Sequence, residues 1–186
     1  MALGGVATFL LAVLTYLVFS GLDDEARARA QFPVLASFKT TSELSRVHFG
    51  EGTRARIVRM TGEDGQAASA VELHLPPGKY PGFELRYFPG DWQGMRALKL
   101  TIVNPEPGPT EVTIRIDDTE YRLKLHDRYN QSFPLSPGIN RIAIPLADVA
   151  SAPRGRRFDL GRVHTLLVFA IDLKEPRRFS WGRSLF

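Results

Sequence analysis

The stretch EVTIRIDDTEYRLKLH, residues 111–126, decides the fold class of this chain. Apolar and polar residues alternate on both sides of the polar pair Asp118-Thr119, and this period-two pattern is typical of strands with one buried face. The stretch therefore predicts a β-hairpin with strands at 111–117 and 121–126. The side chains predicted to face the core are Val112, Ile114, Ile116, Tyr121, Leu123 and Leu125.

Alternating apolar runs recur on both sides of this hairpin, separated by clusters of Gly, Pro, Asn and Asp. No long helical periodicity is present in this part, which predicts an all-β, antiparallel sandwich or jelly roll of about eight to ten strands. Run 164–173 is apolar on both faces, which indicates a central strand covered on both sides. One short helical turn is predicted at 146–150. The further predicted strands are 70–75, 98–102, 141–145, 164–173 and 177–185.

The composition fits one domain of ordinary size and narrows its chemistry. The 186 residues include no cysteine, which excludes disulfide bonds, thiolate metal sites and cysteine nucleophiles. The formal net charge is +4, but from Arg154 onward eight basic residues face three acidic ones, so the excess is a C-terminal feature. A mild excess of this kind gives no reason to expect a nucleic-acid partner.

The N-terminal segment is predicted to be a transmembrane anchor spanning 1–22. Residues 2–22 carry no charged side chain and provide roughly the twenty residues that cross a hydrocarbon core. A cleaved signal peptide is the alternative, with a small-residue site at 28–30, although no basic residue follows Met1. Residues 23–31 then form a polar connector, and 32–186 the β-sandwich domain.

No motif for catalysis, cofactor binding or metal binding occurs in the sequence. Phosphate loops, nucleophile elbows and zinc-protease motifs are absent, and the four histidines are scattered without ligand-like spacing. The pair Asp117-Asp118 is adjacent on a predicted strand, so its carboxylates point to opposite faces and favour a turn over an acid/base pair. The chain is therefore predicted not to be an enzyme and to need no cofactor or metal.

Polar and aromatic residues crowd one connection at 127–130 and make it the first candidate binding site. Asp127, Arg128 and Asn130 are suited to hydrogen-bond sugar hydroxyls, while Tyr129 is suited to stack on a pyranose face. The alternative is a well hydrogen-bonded loop in which Asp127 and Asn130 satisfy turn backbone groups.

Two further features are candidates for ligand binding. Asp91 and Trp92 lie together in a strand connection, and the alternative is that Trp92 plugs one end of the sandwich. The outward face of the predicted hairpin is basic and suits an anionic glycan or lipid headgroups, with a solvated sheet face as the ordinary explanation. Its residues are Arg115, Arg122, Lys124 and His126.

Five motifs in fixed order resemble a known family. They are Tyr80-Pro81-Gly82, Gly90-Asp91-Trp92, Asp127-Arg128-Tyr129-Asn130, Pro137-Gly138-Ile139-Asn140 and Ala152-Pro153-Arg154-Gly155-Arg156. The arrangement, over 33–186, resembles the galactose-binding-like, carbohydrate-binding-module-type β-sandwiches found C-terminal in VanZ-like bacterial membrane proteins. The resemblance implies a jelly-roll fold, a bacterial envelope location and glycan binding.

The chain departs from this family in two respects. The family often holds a structural calcium ion through carboxylates of its first and last strands, whereas 35–38 and 179–183 contain none, so no calcium is expected. The multi-helix membrane portion is also missing. We therefore expect a non-catalytic module in the bacterial inner membrane, single-pass, with its domain in the periplasm or outside the cell, binding envelope polysaccharide or another glycan. The alternative is a structural or protein-interaction module in an envelope assembly.

Overall fold

Two antiparallel β-sheets pack face to face in this chain, which confirms the predicted all-β sandwich. The computed structural model describes residues 9, 11, 13, 15, 22–50, 52–61 and 67–185. Within them the strands are β1 (Val34–Ala36), β2 (Val47–Phe49), β3 (Arg54–Thr61), β4 (Ala67–Leu75), β5 (Gly82–Leu85), β6 (Ala97–Asn104), β7 (Thr110–Asp118), β8 (Tyr129–Leu135), β9 (Gly138–Pro145), β10 (Val163–Phe169) and β11 (Arg177–Leu185).

The strand order places distant parts of the chain side by side. The first sheet has the order β3-β4-β11-β6-β9, with β1 paired to the far end of β11. The second sheet has the order β2-β5-β10-β7-β8. Most neighbours in the second sheet are far apart in sequence, so its surface combines residues that no local pattern brings together.

The core lies between the sheets and contains the alternating apolar positions of both. Trp181 of β11 is 1% exposed, stacks on Phe83 of β5 with ring centroids 4.4 Å apart, and meets the edge of Phe38 at 4.7 Å. Aromatic pairs of this geometry add about 0.5–1.5 kcal/mol beyond the burial of their surface. The contact therefore ties the two sheets together near their centre.

Several elements lie where the sequence predicted them. The last strand spans Arg177–Leu185, and the short helical turn appears as an α-helix, Leu146–Ser151. The runs at 70–75, 98–102 and 141–145 lie within β4, β6 and β9.

The predicted second strand of the hairpin, 121–126, is wrong. This segment is a loop that ends in a 3-10 turn at Leu125–Asp127, and the true partner of β7 is β8. Leu123 has φ 59° and is 87% exposed, and an exposed left-handed residue interrupts any extended strand. The alternation of Tyr121, Leu123 and Leu125 therefore resembled a strand without forming one.

The described residues contain eleven strands, more than the eight to ten expected. The sequence missed β2, β3, β5 and β8, and β2 and β5 have only three and four residues. Strand β10 ends at Phe169 instead of continuing to residue 173. It is central as predicted, but no other layer of the described residues covers its outer face, where Leu167 and Phe169 line an open groove.

The polar connector predicted at 23–31 is helical, within helix α1 (22–31). The helix packs on the sandwich through Ala28, 1% exposed, and Asp24, whose Oδ2 accepts a hydrogen bond from Ser45 Oγ at 2.8 Å. The predicted anchor at 1–22 lies almost entirely outside the described residues; those described within it, 9, 11, 13, 15 and 22, are helical. Among the described residues, no helix has both the length and the apolar character needed to span a membrane.

Candidate functional site: a groove on the second sheet

A groove of about 490 Å³ runs across the outer face of the second sheet. All five strands of the sheet border it, together with the loops that carry Tyr80, Leu125 and Ile171. A volume of this size lies within the range of small-ligand sites. The groove is therefore the candidate binding site.

The floor of the groove follows from strand alternation. In β7, Ile114 and Ile116 are buried in the core, so Arg115 between them points outward. Leu167 in β10 and Glu84 in β5 point outward for the same reason. Because Glu84 is paired with Leu167 and Leu167 with Arg115, one row of cross-strand neighbours crosses the sheet. The full row is His48, Glu84, Leu167, Arg115 and Asn130, one residue from each of the five strands.

A glycine shapes the neighbouring row. Gly82 faces outward beside Phe169, its partner in β10, and a Cβ atom at Gly82 would lie 2.5 Å from the Cβ of Phe169 and 2.3 Å from the carbonyl oxygen of Val168. No side chain fits at this distance. Position 82 therefore requires glycine for β5 and β10 to pair closely beneath the groove.

Apolar and aromatic side chains form part of the lining of the groove. Tyr80 is 59% exposed and stands perpendicular to Phe169, with ring centroids 5.9 Å apart. The Lys79 ammonium lies 5.5 Å from the centre of the Tyr80 ring, while Leu125 and Ile171 add exposed apolar surface. An exposed aromatic ring beside aliphatic groups is suited to pack against the C–H face of a sugar ring.

Two groove-lining side chains, those of Arg128 and Asn130, each have one buried polar atom without a hydrogen-bond partner among the described residues. The Nε of Arg128 and the Oδ1 of Asn130 are buried from solvent, and neither makes a hydrogen bond within the described part of the chain. An unsatisfied buried donor or acceptor costs about 1–3 kcal/mol. Both residues line the groove, so they leave one donor and one acceptor for a hydroxyl-bearing ligand that packs against them.

Arg115, in the floor of the groove, is held in place by Asp117 of the same strand, β7. Its Nε donates to both carboxylate oxygens of Asp117 at 2.9 Å, and its guanidinium lies 4.9 Å from the centre of the Tyr121 ring. Burial lowers the pKa of Arg115, but the hydrogen bonds and charge of Asp117 outweigh it and hold that pKa above its ordinary value. Arg115 therefore keeps its charge, which Asp117 neutralises locally.

Asp127 holds the loop at the rim of the groove through two hydrogen bonds. Its Oδ1 accepts a hydrogen bond from Arg156 Nε at 2.5 Å and its Oδ2 accepts one from the backbone N–H of Arg122 at 2.7 Å. The bond from Arg156 is the main reason that the pKa of Asp127 lies below its ordinary value. Both carboxylate oxygens are engaged within the protein and Asp127 does not line the groove, which corrects the prediction that it hydrogen-bonds sugar hydroxyls and favours the alternative of a hydrogen-bonded loop.

The predicted stacking role of Tyr129 and the predicted ligand contact of Trp92 both conflict with the burial of these side chains. Tyr129 is 5% exposed, its hydroxyl donates to Gln131 Oε1 at 2.6 Å, and burial raises its pKa to about 12. Trp92 is 0% exposed and its indole N–H donates to the carbonyl oxygen of Pro89 at 2.9 Å, so it packs into the sandwich as the alternative held. Asp91 accepts a hydrogen bond from the backbone N–H of Gln93 and does not line the groove.

Two of the six predicted binding residues, Arg128 and Asn130, thus line the groove. It adds residues that sequence reasoning missed, above all Tyr80 and Phe169. One signal pointed to Phe169, which belongs to the run that is apolar on both faces. No group of three or more His, Asp or Glu suited to a metal ion occurs among the described residues.

The fold is shared with proteins that act on or bind polysaccharides. An exo-β-agarase structure superposes with a TM-score of 0.67 at 17% identity, over 82% of this chain and 24% of that one. A second agarase gives 0.61 at 11% identity, over 82% and 26%. A family 11 carbohydrate-binding module from Clostridium thermocellum, in complex with a β-1,3-1,4-mixed-linked tetrasaccharide, gives 0.58 at 15% identity, over 82% and 94%.

Carbohydrate-binding modules are structural neighbours of this chain. The chain spans about a quarter of each agarase and nearly the whole of the isolated module. At these low identities the likeness extends to the fold alone. No protein-family model matches the sequence, and no curated protein matches it.

Proposed function

We propose that this chain is a non-catalytic carbohydrate-binding module that holds a glycan in the groove of the second sheet. One observation carries the proposal: Arg128 and Asn130, whose Nε and Oδ1 are unsatisfied, line the same groove as the exposed ring of Tyr80. Sugars combine hydroxyls that both donate and accept with apolar C–H faces. The groove offers polar side chains for the hydroxyls and an exposed aromatic ring for the C–H faces.

The carboxylate content of the groove supports a binding role over hydrolysis. Glycoside hydrolysis usually uses two carboxyl groups on either side of the scissile bond. Glu84 is the one carboxylate among the described residues that line the groove, and it is paired with Arg86 at 3.1 Å. A pair of carboxyl groups across a bound glycan is therefore not available there.

A polysaccharide panel tests the proposal. The full chain, purified in a detergent without a sugar headgroup, is applied to immobilised β-glucans, galactans, polyuronates and peptidoglycan, and affinities are measured by calorimetry on soluble fragments. Tyr80→Ala should weaken binding about tenfold, since one stacking contact contributes about 1.4 kcal/mol or less. Tyr87→Ala is the matched control, because Tyr87 is 42% exposed and lies outside the groove.

The outcomes are distinct. Saturable binding that Tyr80→Ala weakens and Tyr87→Ala leaves unchanged supports a glycan module, provided that no new reducing ends appear on prolonged incubation. A folded chain that binds nothing in the panel contradicts the proposal. Release of reducing ends that a groove variant abolishes would contradict its non-catalytic part.

We further propose that residues 2–22 anchor the domain in a bacterial inner membrane, facing the periplasm or cell exterior as in VanZ-like proteins. The support is the absence of charged side chains over this stretch. Retention in the membrane pellet after carbonate extraction, with the domain digested by protease added to spheroplasts, is the expected result. Release by carbonate would contradict the anchor.

A further inference from the structure

The charges that line the groove do not cancel. Glu84 is paired with Arg86, and Arg115 with Asp117. Arg128 has no carboxylate within 4.0 Å among the described residues, and Lys79 at the rim is likewise without one. His48 is the remaining ionisable group in the row across the sheet. The described residues of the groove therefore carry an excess of positive charge centred on Arg128.

The guanidinium of Arg128 is held in place by the protein, but most of its N–H groups donate no hydrogen bond to the described residues. Its Nη1 donates to the Tyr121 hydroxyl at 2.9 Å, and this is its one side-chain hydrogen bond in the part of the chain that the structure describes. Its Nε is buried without an acceptor. A guanidinium with Nε and one terminal nitrogen free presents two parallel N–H groups, which match the two oxygens of a carboxylate or sulfate. A neutral hydroxyl satisfies one of these groups and leaves the charge uncompensated.

Asn130 adds a second requirement. Neither end of its carboxamide makes a hydrogen bond within the described residues, and its Oδ1 is buried. A carboxylate or sulfate ester group only accepts hydrogen bonds, so it cannot satisfy this oxygen. A sugar hydroxyl next to an acidic substituent supplies the donor that this oxygen lacks, beside the anionic group that Arg128 binds.

We propose that the groove selects acidic glycans, whose uronate carboxylate or sulfate ester binds Arg128 while a neighbouring hydroxyl binds Asn130. The inference rests on the proposed function, because it names the class of glycan that the same groove takes. Tyr80 and Phe169 supply the apolar contact to the sugar ring and carry no preference for charge. The discrimination between acidic and neutral sugars therefore belongs to Arg128.

Matched probes isolate the charge from the sugar. Oligogalacturonate is compared with its fully methyl-esterified form, and a κ-carrageenan oligosaccharide with its desulfated form, using the full chain in the same detergent. At low salt the acidic member of at least one pair should bind about tenfold more tightly or better. The difference should shrink as sodium chloride rises toward about 0.5 M, because salt screens the charge.

Variants of Arg128 separate this inference from glycan binding in general. Arg128→Gln should bind both members of a pair equally, whereas Arg128→Lys should keep part of the preference. Arg54→Gln is the control, since Arg54 is an exposed arginine on the other sheet. Thermal unfolding of each variant verifies that it is folded.

Each result decides between the two proposals. A preference for the acidic probe that is lost in Arg128→Gln and kept in Arg54→Gln supports the inference. Equal binding of both members by the unmodified chain overturns the inference and leaves carbohydrate binding standing. Binding of no probe by the folded chain overturns the inference, and it overturns the proposed function as well when the polysaccharide panel is also silent.

Discussion

Replacing Arg156 by leucine tests how the rim of the groove is held. Arg156 connects two loops, because its Nη1 and Nη2 donate to the two carboxylate oxygens of Asp118 at 2.6 and 2.8 Å while its Nε donates to Asp127. These bonds raise the pKa of the guanidinium well above its ordinary value, with the bond to Asp118 as the largest cause. The loop 119–128, which carries Leu125 and Arg128 to the groove, depends on this connection.

The expected loss of stability follows from burial. The Asp118 side chain is 0% exposed and that of Arg156 is 16% exposed, so removing the arginine leaves a buried carboxylate with only backbone N–H partners. Breaking a buried ion pair from one side costs about 3–5 kcal/mol. Because solvent reaches part of Arg156, the lower end applies, and about 3 kcal/mol corresponds to a Tm lower by about 6–12 °C.

Thermal unfolding followed by circular dichroism measures this shift. Arg162→Leu is the matched control, because Arg162 is 61% exposed in its ion pairs and should change Tm very little. The double variant Asp118→Asn, Arg156→Leu should recover part of the loss, since it also removes the unpaired buried charge. A Tm of Arg156→Leu within about 2 °C of the unmodified chain would refute the reasoning.

Three other perturbations have defined outcomes. Burial raises the pKa of Glu43, but the hydrogen bonds that it accepts from the Ser37 to Lys39 segment lower it more, so the net shift is downward. The ionised carboxylate therefore stabilises the folded state, and this stabilisation is lost as the pH falls below the ordinary value of 4.5. Urea unfolding of Glu43→Gln should accordingly depend less on pH between about 5 and 3. Gly82→Ala should lower the free energy of unfolding by about 1–3 kcal/mol and abolish glycan binding. Gly78→Ala should do neither, because no atom lies nearer than 3.8 Å to its new Cβ. Trp92→Ala should cost about 3–5 kcal/mol in unfolding experiments, while the folded fraction keeps its glycan affinity.

The misread strand shows where local pattern fails. Residues 121–126 alternate like a strand, yet Asp127 accepts the backbone N–H of Arg122 and is itself held by Arg156, 29 residues further along the chain. A contact at that distance is absent from any window of sequence in which alternation is counted. The connection therefore forms a loop although its pattern favours a strand.

The candidate site shows a similar division. Arg128 and Asn130 share a face of extended chain, and alternation puts Tyr129 on the other face. Which face is buried depends on the pairing of Tyr129 with Ile116 of β7, a core residue. The polar cluster at 127–130 was therefore recognised from sequence, but the roles of its members were not.

The sequence by itself determined the fold class, the last strand and the short helix at 146–151, because alternation, turn residues and helical propensity are local properties of the chain. Only the tertiary structure decided the binding surface. The row of residues across its floor takes one residue from each of the five strands: His48, Glu84, Leu167, Arg115 and Asn130. The strand order β2-β5-β10-β7-β8 is set by packing of the whole core. Pairing between such distant strands leaves no periodic signal, so the groove exists only once both sheets have formed.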